Sequence, residues 1–94
     1  MKLFDKLPPH SLESEMSLLG SLLIDPACVG DVAERIRPEM FYGEKHAALY
    51  TTIIAASDES EAASVDLVVI LERLRVAGTL ELVGGSEYLA KLLS

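Results

Sequence analysis

Apolar residues recur along this chain at the three-to-four-residue spacing of amphipathic helices. The first such run is Leu12–Ile24, whose apolar residues at positions 12, 16, 19 and 23 would share one face, so we predict a helix there. Ser11 precedes this run and is a typical N-cap residue. Within the run, Ser17, Gly20 and Ser21 are small, and we expect a second helix to approach closely at these positions.

The end of the first run is marked by Asp25 and Pro26. Aspartate is a common N-cap, and proline fits the first helical position because its missing N–H would be unpaired there anyway. We therefore predict a second helix from Pro26 to about Ile36. The Arg-Pro pair at positions 37–38 should end it, since a residue before proline avoids helical geometry.

The segment "PEMFY" predicts a short turn that directs Met40, Phe41 and Tyr42 into the core. A third helix should then cover about Glu44–Ser57. The stretch "SDESEAAS" at 57–64 is polar, acidic and without periodicity, which is typical of a solvated loop.

A fourth helix is predicted over Leu67–Ala77, with Asp66 as its N-cap and Gly78 ending it in the left-handed conformation. "TLELV" at 79–83 is too short to assign. The last apolar run predicts a helix at about Ser86–Leu93. There is no internal repeat and no heptad run.

The fold predicted from these elements is all-α, a compact bundle of about five to six short helices at residues 11–94. Residues 1–10 should form an extended arm, because Pro8 and Pro9 forbid a helix there. The arm has no apolar core of the signal-peptide type, and no apolar stretch approaches the ~20 residues of a membrane span. We expect a cytoplasmic protein with no membrane contact.

Charge argues against direct nucleic-acid binding. The formal net charge of the 94 residues is −7, whereas nucleic-acid affinity depends on Lys and Arg displacing counterions. Neither half of the chain is basic, so we expect this domain by itself not to bind nucleic acid.

Gly84 and Gly85 stand before the last helix, where glycine-rich turns in other proteins bind phosphate. The flanking residues match neither the P-loop nor the dinucleotide motif. No lysine follows, and Glu87 would repel a phosphate. We interpret the pair as a tight turn in which one glycine has a positive φ, allowing Tyr88 and the helix after it to pack on the bundle.

Catalytic and metal-binding patterns are absent from the sequence. The two histidines, His10 and His46, are far apart, and no metal-ligand spacing occurs. Cys28 lies near a helix N-terminus, which would lower its pKa if it were exposed, but packing is the favoured interpretation. Several carboxylates are expected on solvated helix faces: Glu13, Glu15, Asp31 and Glu34. We predict no catalytic, cofactor or metal site in this chain.

A winged-helix DNA-binding domain is one alternative. "LERLRVAGTLELVGG" could be a helix, a strand and a glycine wing, with Arg73 and Arg75 on the helix. However, those arginines do not share a helix face, Glu81 lies in the wing, and the following residues have a helical pattern. A generic helical adaptor is a second alternative.

Three stretches together resemble a known family: "LPPHSLESEMSLLGSLLIDP", "MFYGEKHAALY" and "VDLVVILERLRVAGTLELVGGSEYLAKL". Their motifs, in this order and spacing, are similar to the N-terminal domain of the bacterial replicative DNA helicase family, DnaB. The resemblance extends from Leu7 to Leu93. A third alternative, the helicase-binding domain of primase, has a similar fold.

The resemblance implies a compact helical domain that serves assembly and partner contact in DNA replication. It implies a hexamer arranged as a trimer of dimers, with primase as a partner and a helicase loader as a further candidate. ATP and magnesium would bind a separate C-terminal RecA-like motor. That motor and a helical hairpin would follow this domain in the parent protein and would lie outside these 94 residues.

Two features depart from the family pattern. Gly43 stands where relatives carry a polar capping residue, so we expect a less well-fixed start of the third helix. The 57–64 stretch is longer and more acidic than the family pattern leads us to expect, which argues against a partner contact there. The residues to which we assign structural roles are Asp25, Pro26, Phe41, Tyr42, Asp66, Gly78, Gly84, Gly85 and Tyr88.

Overall fold

The computed structural model describes residues 11–59 and 66–94, and within these ranges the chain is helical without strands. The five α-helices are α1 (Leu12–Ile24), α2 (Val29–Arg35), α3 (Glu44–Glu59), α4 (Leu67–Ala77) and α5 (Gly85–Leu92). Two short 3₁₀ turns, Pro26–Cys28 and Pro38–Met40, complete the regular structure. The all-α prediction is confirmed. The predicted arm at residues 1–10 lies outside the described ranges and stays a prediction.

Helix α1 packs on both α3 and α5. It starts at Ser11, whose Oγ accepts a hydrogen bond from the backbone N–H of Ser14 at 3.3 Å. The small residues of α1 have the predicted consequence, since a Cβ at Gly20 would lie 2.4 Å from the carbonyl oxygen of Leu92. Only a residue without a side chain lets the backbone of α5 approach this closely.

The second predicted helix is shorter than expected. Residues 26–28 form a 3₁₀ turn, and the α-helix begins at Val29. The Asp25 side chain makes no capping hydrogen bond. Its backbone carbonyl instead accepts the N–H of Cys28 at 3.1 Å, which gives the tighter three-residue spacing of a 3₁₀ turn. Pro26 lies in the first turn, as predicted.

The prediction that "PEMFY" turns three side chains inward is right for one of them. Phe41 is buried and its ring packs on Tyr50 with centroids 4.8 Å apart. The prediction is wrong for Met40 and Tyr42, which are 47% and 62% exposed. The exposure of Met40 follows from a local contact. Its sulfur accepts a hydrogen bond from the backbone N–H of Arg37 at 3.4 Å, which holds the side chain over the 3₁₀ turn.

Helix α3 extends two residues beyond the predicted end, to Glu59, so the first part of the acidic stretch is helical. Residues 60–65 lie outside the described ranges. Helix α4 has the predicted bounds. Asp66 accepts the N–H of Val69 at 3.0 Å at its start, and Gly78, with φ 76°, ends it. The N–H of Thr79 then reaches the carbonyl of Leu74 at 2.9 Å, the bond of a Schellman turn.

Across the described residues, no single helix is long and apolar enough to cross a membrane. The segments Leu12–Ile24 and Pro26–Arg35 pass that test together by length and composition, with a bend of 110° between them.

Candidate functional site

Glu15 is the most deeply buried carboxylate of the described residues, with 1% of its surface exposed. The prediction that it lies on a solvated face is therefore wrong. It shares the inner stripe of α1 with the leucines three, four and seven positions later. A charge in the core is costly unless it is paired and hydrogen-bonded, and Glu15 is fully supplied with donors.

A hydrogen-bonded series links Glu15 on α1 to His46 on α3 and Tyr88 on α5. Oε1 of Glu15 lies 2.7 Å from Nδ1 of His46, and Nε2 of His46 lies 2.6 Å from the Tyr88 hydroxyl. His46 is as buried as Glu15, and the described residues contain no buried side-chain polar atom without a partner. We call these three side chains the Glu15 network. It joins three helices at one point in the core.

The carboxylate of Glu15 also binds the backbone immediately before α3. Oε2 accepts the backbone N–H of Tyr42 at 2.6 Å, and Oε1 accepts the N–H of Gly43 at 3.2 Å. Against the expectation of a less well-fixed start at Gly43, the backbone there is held by a carboxylate from another helix. There is little room for a side chain at Gly43: a Cβ there would lie 3.1 Å from Nδ1 of His46 and 3.4 Å from Oε1 of Glu15.

Tyr88 closes the network at the surface. Half-burial raises the pKa of its hydroxyl, and the charge of Glu15 adds to this. The ammonium of Lys45 lies 3.7 Å from the centre of the ring, a cation–π contact on its outer side. Tyr88 is thus a neutral phenol at physiological pH, which can donate or accept a hydrogen bond.

Gly84 and Gly85 both have positive φ, of 106° and 76°, in the turn that leads into α5. The turn closes with the N–H of Gly85 on the carbonyl of Leu80 at 2.9 Å. A Cβ on Gly84 would lie 2.7 Å from Cβ of Tyr88, whereas a Cβ on Gly85 would meet nothing within 4 Å. The pair therefore acts through geometry, placing Tyr88 where it reaches His46.

Residues 79–83, left unassigned from the sequence, form turns in which Val83 is fully buried. The winged-helix alternative is therefore wrong, since the strand that it needs is replaced by a turn. The arginines of α4 are also engaged with carboxylates. Arg73 pairs with Glu59 on α3, and Arg75 pairs with Glu72 on its own helix, Nη2 to Oε2 at 2.5 Å.

Cys28 does not meet the condition of exposure under which a helix N-terminus would lower its pKa. Burial, with the nearby charges of Asp25 and Asp31, raises the pKa of the thiol, which is half-buried and donates to the carbonyl of Asp25 at 3.0 Å. In the part of the chain described, no group of three or more His, Cys, Asp or Glu side chains could hold a metal ion.

Tyr50 is a fully buried tyrosine one turn after His46 on α3, and its hydroxyl has partners outside the Glu15 network. Its hydroxyl donates to the carbonyl of Ile36 at 2.7 Å, and burial raises its pKa to about 12. It borders a mostly apolar groove of about 290 Å³ between α2 and α3.

The outer side of α4 is apolar and exposed. Val68 is 73% exposed, Val76 72% and Val69 39%, and helical geometry places these three within about 100° of one another. We call them the α4 surface. Exposed apolar patches are typical of protein contact sites.

The sequence matches the family model described as the DnaB-like helicase N terminal domain over residues 7–94. The chain belongs to this family. The resemblance inferred from the three sequence stretches is thereby confirmed, and the primase-type alternative is not needed to explain the fold.

Curated members of the DnaB family align along nearly the whole chain. The replicative DNA helicase DnaB of Treponema pallidum (strain Nichols) is 34% identical over 87 residues, covering 93% of this chain and 19% of that protein. The protein of the same name from Leifsonia xyli subsp. xyli is 36% identical over 90 residues, covering 96% and 19%. This chain thus spans about a fifth of the length of these relatives.

The three-dimensional structure agrees. The crystal structure of the N-terminal domain of DnaB helicase from Mycobacterium tuberculosis matches with a TM-score of 0.82 and 36% sequence identity. The match covers 93% of this chain and 62% of that one. The five helices therefore form the fold of a DnaB N-terminal domain.

Proposed function

We propose that this chain is the N-terminal assembly and partner-contact domain of a hexameric replicative DNA helicase. The observation that carries the proposal is the family match over residues 7–94, supported by curated relatives that are replicative helicases. The helicase reaction, with its ATP and magnesium, belongs in this proposal to a separate motor domain of a longer cytoplasmic parent. The domain itself contributes protein contacts.

The α4 surface is the contact that we assign to self-association. Its valines are exposed, and the charges between and beside them, on Glu72 and Arg75, already pair with each other. An apolar strip bordered by a neutral ion pair is suited to a second copy of the same surface, because no net charge opposes its approach. Stable protein interfaces bury about 1,200–2,000 Å², more than three valines supply, so this domain alone should associate weakly.

Sedimentation of the 94-residue chain tests this assignment. We expect mainly monomer at micromolar concentration, with a dimer appearing at higher concentration. Val68→Asp together with Val76→Asp should abolish that dimer, since association would then bury two unpaired carboxylates. Ile24→Asp is the matched control, because Ile24 is 66% exposed but lies on α1. Dimerisation that survives the double α4 change, or a stable hexamer of the chain alone, would contradict the assignment.

Primase is the second partner in this proposal, with a helicase loader as a further candidate. The support is membership of the replicative helicase family, and the test is direct binding. The chain should bind the helicase-binding domain of a primase in a calorimetric titration, weakly as a monomer and more tightly in the assembled parent. Absence of binding by the assembled parent would remove primase from the proposal while leaving self-association untouched.

A further inference from the structure

Two exposed residues with apolar side chains, Leu12 and Tyr42, lie close together where α1 and α3 begin. The backbone N–H of Tyr42 donates to Oε2 of Glu15, which is three residues after Leu12 on α1. A Cβ on the next residue, Gly43, would lie 3.3 Å from a methyl carbon of Leu12. The segment before α3 therefore crosses the first turn of α1, and we call the exposed apolar area at this crossing the Leu12–Tyr42 surface.

The charges beside the Leu12–Tyr42 surface are negative. Glu13 follows the leucine and Glu44 comes two residues after the tyrosine, and both are exposed. The basic residue that follows, Lys45, has its ammonium over the ring of Tyr88. A segment that fits this surface would therefore combine apolar side chains with positive charge, because complementary charges favour the correct partner.

Residues 1–10 of the same chain have this composition. They lie outside the described ranges, and their apolar residues are Leu3, Phe4 and Leu7, interspersed with Lys2 and Lys6. Two lysines and one aspartate give these ten residues a net side-chain charge of +1, whereas the whole chain has a net charge of −7. The segment is thus apolar and basic, and the rest of the chain is acidic.

The same ten residues are joined to the surface by Ser11, the residue before Leu12. The backbone of Ser11 is extended, with φ −106° and ψ 93°, so the preceding chain does not continue the axis of α1. Phe4 is eight residues before Leu12, and an extended chain covers up to about 3.3–3.6 Å per residue, which is enough to reach Tyr42. Docking within one chain also has a high effective concentration, an advantage that a second copy at micromolar concentration lacks.

We propose that the Leu12–Tyr42 surface is the docking site for residues 2–7 of the same chain, with the Phe4 ring against Tyr42 and the lysines beside the neighbouring carboxylates. Aromatic side chains bury a large apolar area when they meet, and the opposite charges add an attraction that salt screens. This docking does not depend on the helicase function proposed above, so either proposal can fail without the other.

A double-mutant cycle on the 94-residue chain tests the contact. Phe4→Ala and Tyr42→Ala should each lower the urea midpoint, and the double variant should fall little further than either single variant, because both changes remove one contact. Tyr42→Ala keeps the backbone N–H that Glu15 accepts, so the variant should fold. Val68→Ala, at an exposed residue of α4, is the matched control, and its effect should add to that of Phe4→Ala. An unchanged midpoint for Phe4→Ala, or additive losses with Tyr42→Ala, would overturn the proposal.

A mixture of isotope-labelled and unlabelled chains shows which molecule supplies the docked segment. Nuclear Overhauser contacts from the Phe4 ring to Tyr42 or Leu12 should arise within one chain and be independent of concentration. Contacts that occur only between labelled and unlabelled chains would make a second copy the occupant of the surface. That result, or the absence of any contact from Phe4 to these two residues, would contradict docking within the chain.

Discussion

The Gly84–Gly85 turn and the Glu15 network both position α5 against the bundle. They differ in the sequence separation of the residues that form them. The turn is local: two adjacent residues have positive φ and start α5 in the direction that buries Leu89 and Leu92. The network is non-local, since Glu15 and His46 are 31 residues apart and His46 and Tyr88 are 42 apart. The turn delivers Tyr88 to the network, and the network fixes α5 after the turn has placed it.

The feature that resembles a binding site in the sequence differs from the feature that forms a polar network in the structure. The glycine pair resembles a phosphate-binding turn in the sequence and has a purely geometric role in the structure. The sequence placed Glu15 on a solvated face and gave His46 no role, yet with Tyr88 they form a carboxylate–imidazole–phenol series in the core. Buried polar groups of this kind help specify a single arrangement of helices when all are satisfied, and here they join three.

The largest effect should come from removing the charge of the network. Glu15→Gln replaces a carboxylate that accepts from three donors by an amide whose NH₂ group faces some of those donors. The loss should be about 3 kcal/mol of unfolding free energy, because buried charged hydrogen bonds and pairs are lost together. Urea denaturation measures it. Glu13→Gln, on the exposed side of the same helix, should change stability by less than about 0.5 kcal/mol. Similar small losses for both variants would show the network to be energetically unimportant.

Substitutions at the two glycines of the turn should differ in how much stability they remove. Gly84→Val combines left-handed strain with a Cβ contact of 2.7 Å to Tyr88, and we expect a loss of about 2–3 kcal/mol. Gly85→Val has the strain without the contact, and about 1–2 kcal/mol should be lost. Chemical denaturation of both variants gives the ranking. Gly30→Val on α2, with ordinary φ and open space, is the control and should be close to neutral. The reverse order of the turn variants would contradict the geometry.

A smaller effect should come from the local signal at the start of α4. Asp66→Ala removes the side-chain oxygen that accepts the N–H of Val69, and about 1 kcal/mol of stability should be lost. Asp66→Asn keeps an acceptor and should recover most of it. Thermal or urea unfolding compares the two. If Asn is as damaging as Ala, the capping bond is not the source of the contribution.

The smallest expected effect is on the binding of nucleotide and single-stranded DNA. We expect no binding of an ATP analogue or of single-stranded oligonucleotide by the 94-residue chain at micromolar concentration and low salt. The net charge is −7, and both arginines of α4 are paired with carboxylates. Fluorescence titration with labelled ligands measures this. Binding that disappears in Gly84→Val would return the phosphate interpretation to the glycine pair.

The amino-acid sequence by itself determined the local features of this protein. The spacing of leucines located α1 and α4 to the residue, and Asp66 and Gly78 marked the ends of α4. The glycine pair predicted a turn with a positive φ. Each of these depends on interactions within a few residues, so the physical cause is contained in the segment. The helical periodicity of the segments predicted the all-α fold class, and the family resemblance agreed with it.

The tertiary structure alone decided what the buried polar residues do. Glu15 and His46 lie three, four and seven positions before buried apolar residues of their own helices, so their register on the inner stripe was visible, but a lone carboxylate gives no sign of its partner. It also decided that Met40 and Tyr42 face outward and that Gly43 needs no capping side chain of its own. The contacts of Glu15 with Tyr42 and of His46 with Tyr88 join groups 27 and 42 residues apart, and such distances are bridged only when the helices pack.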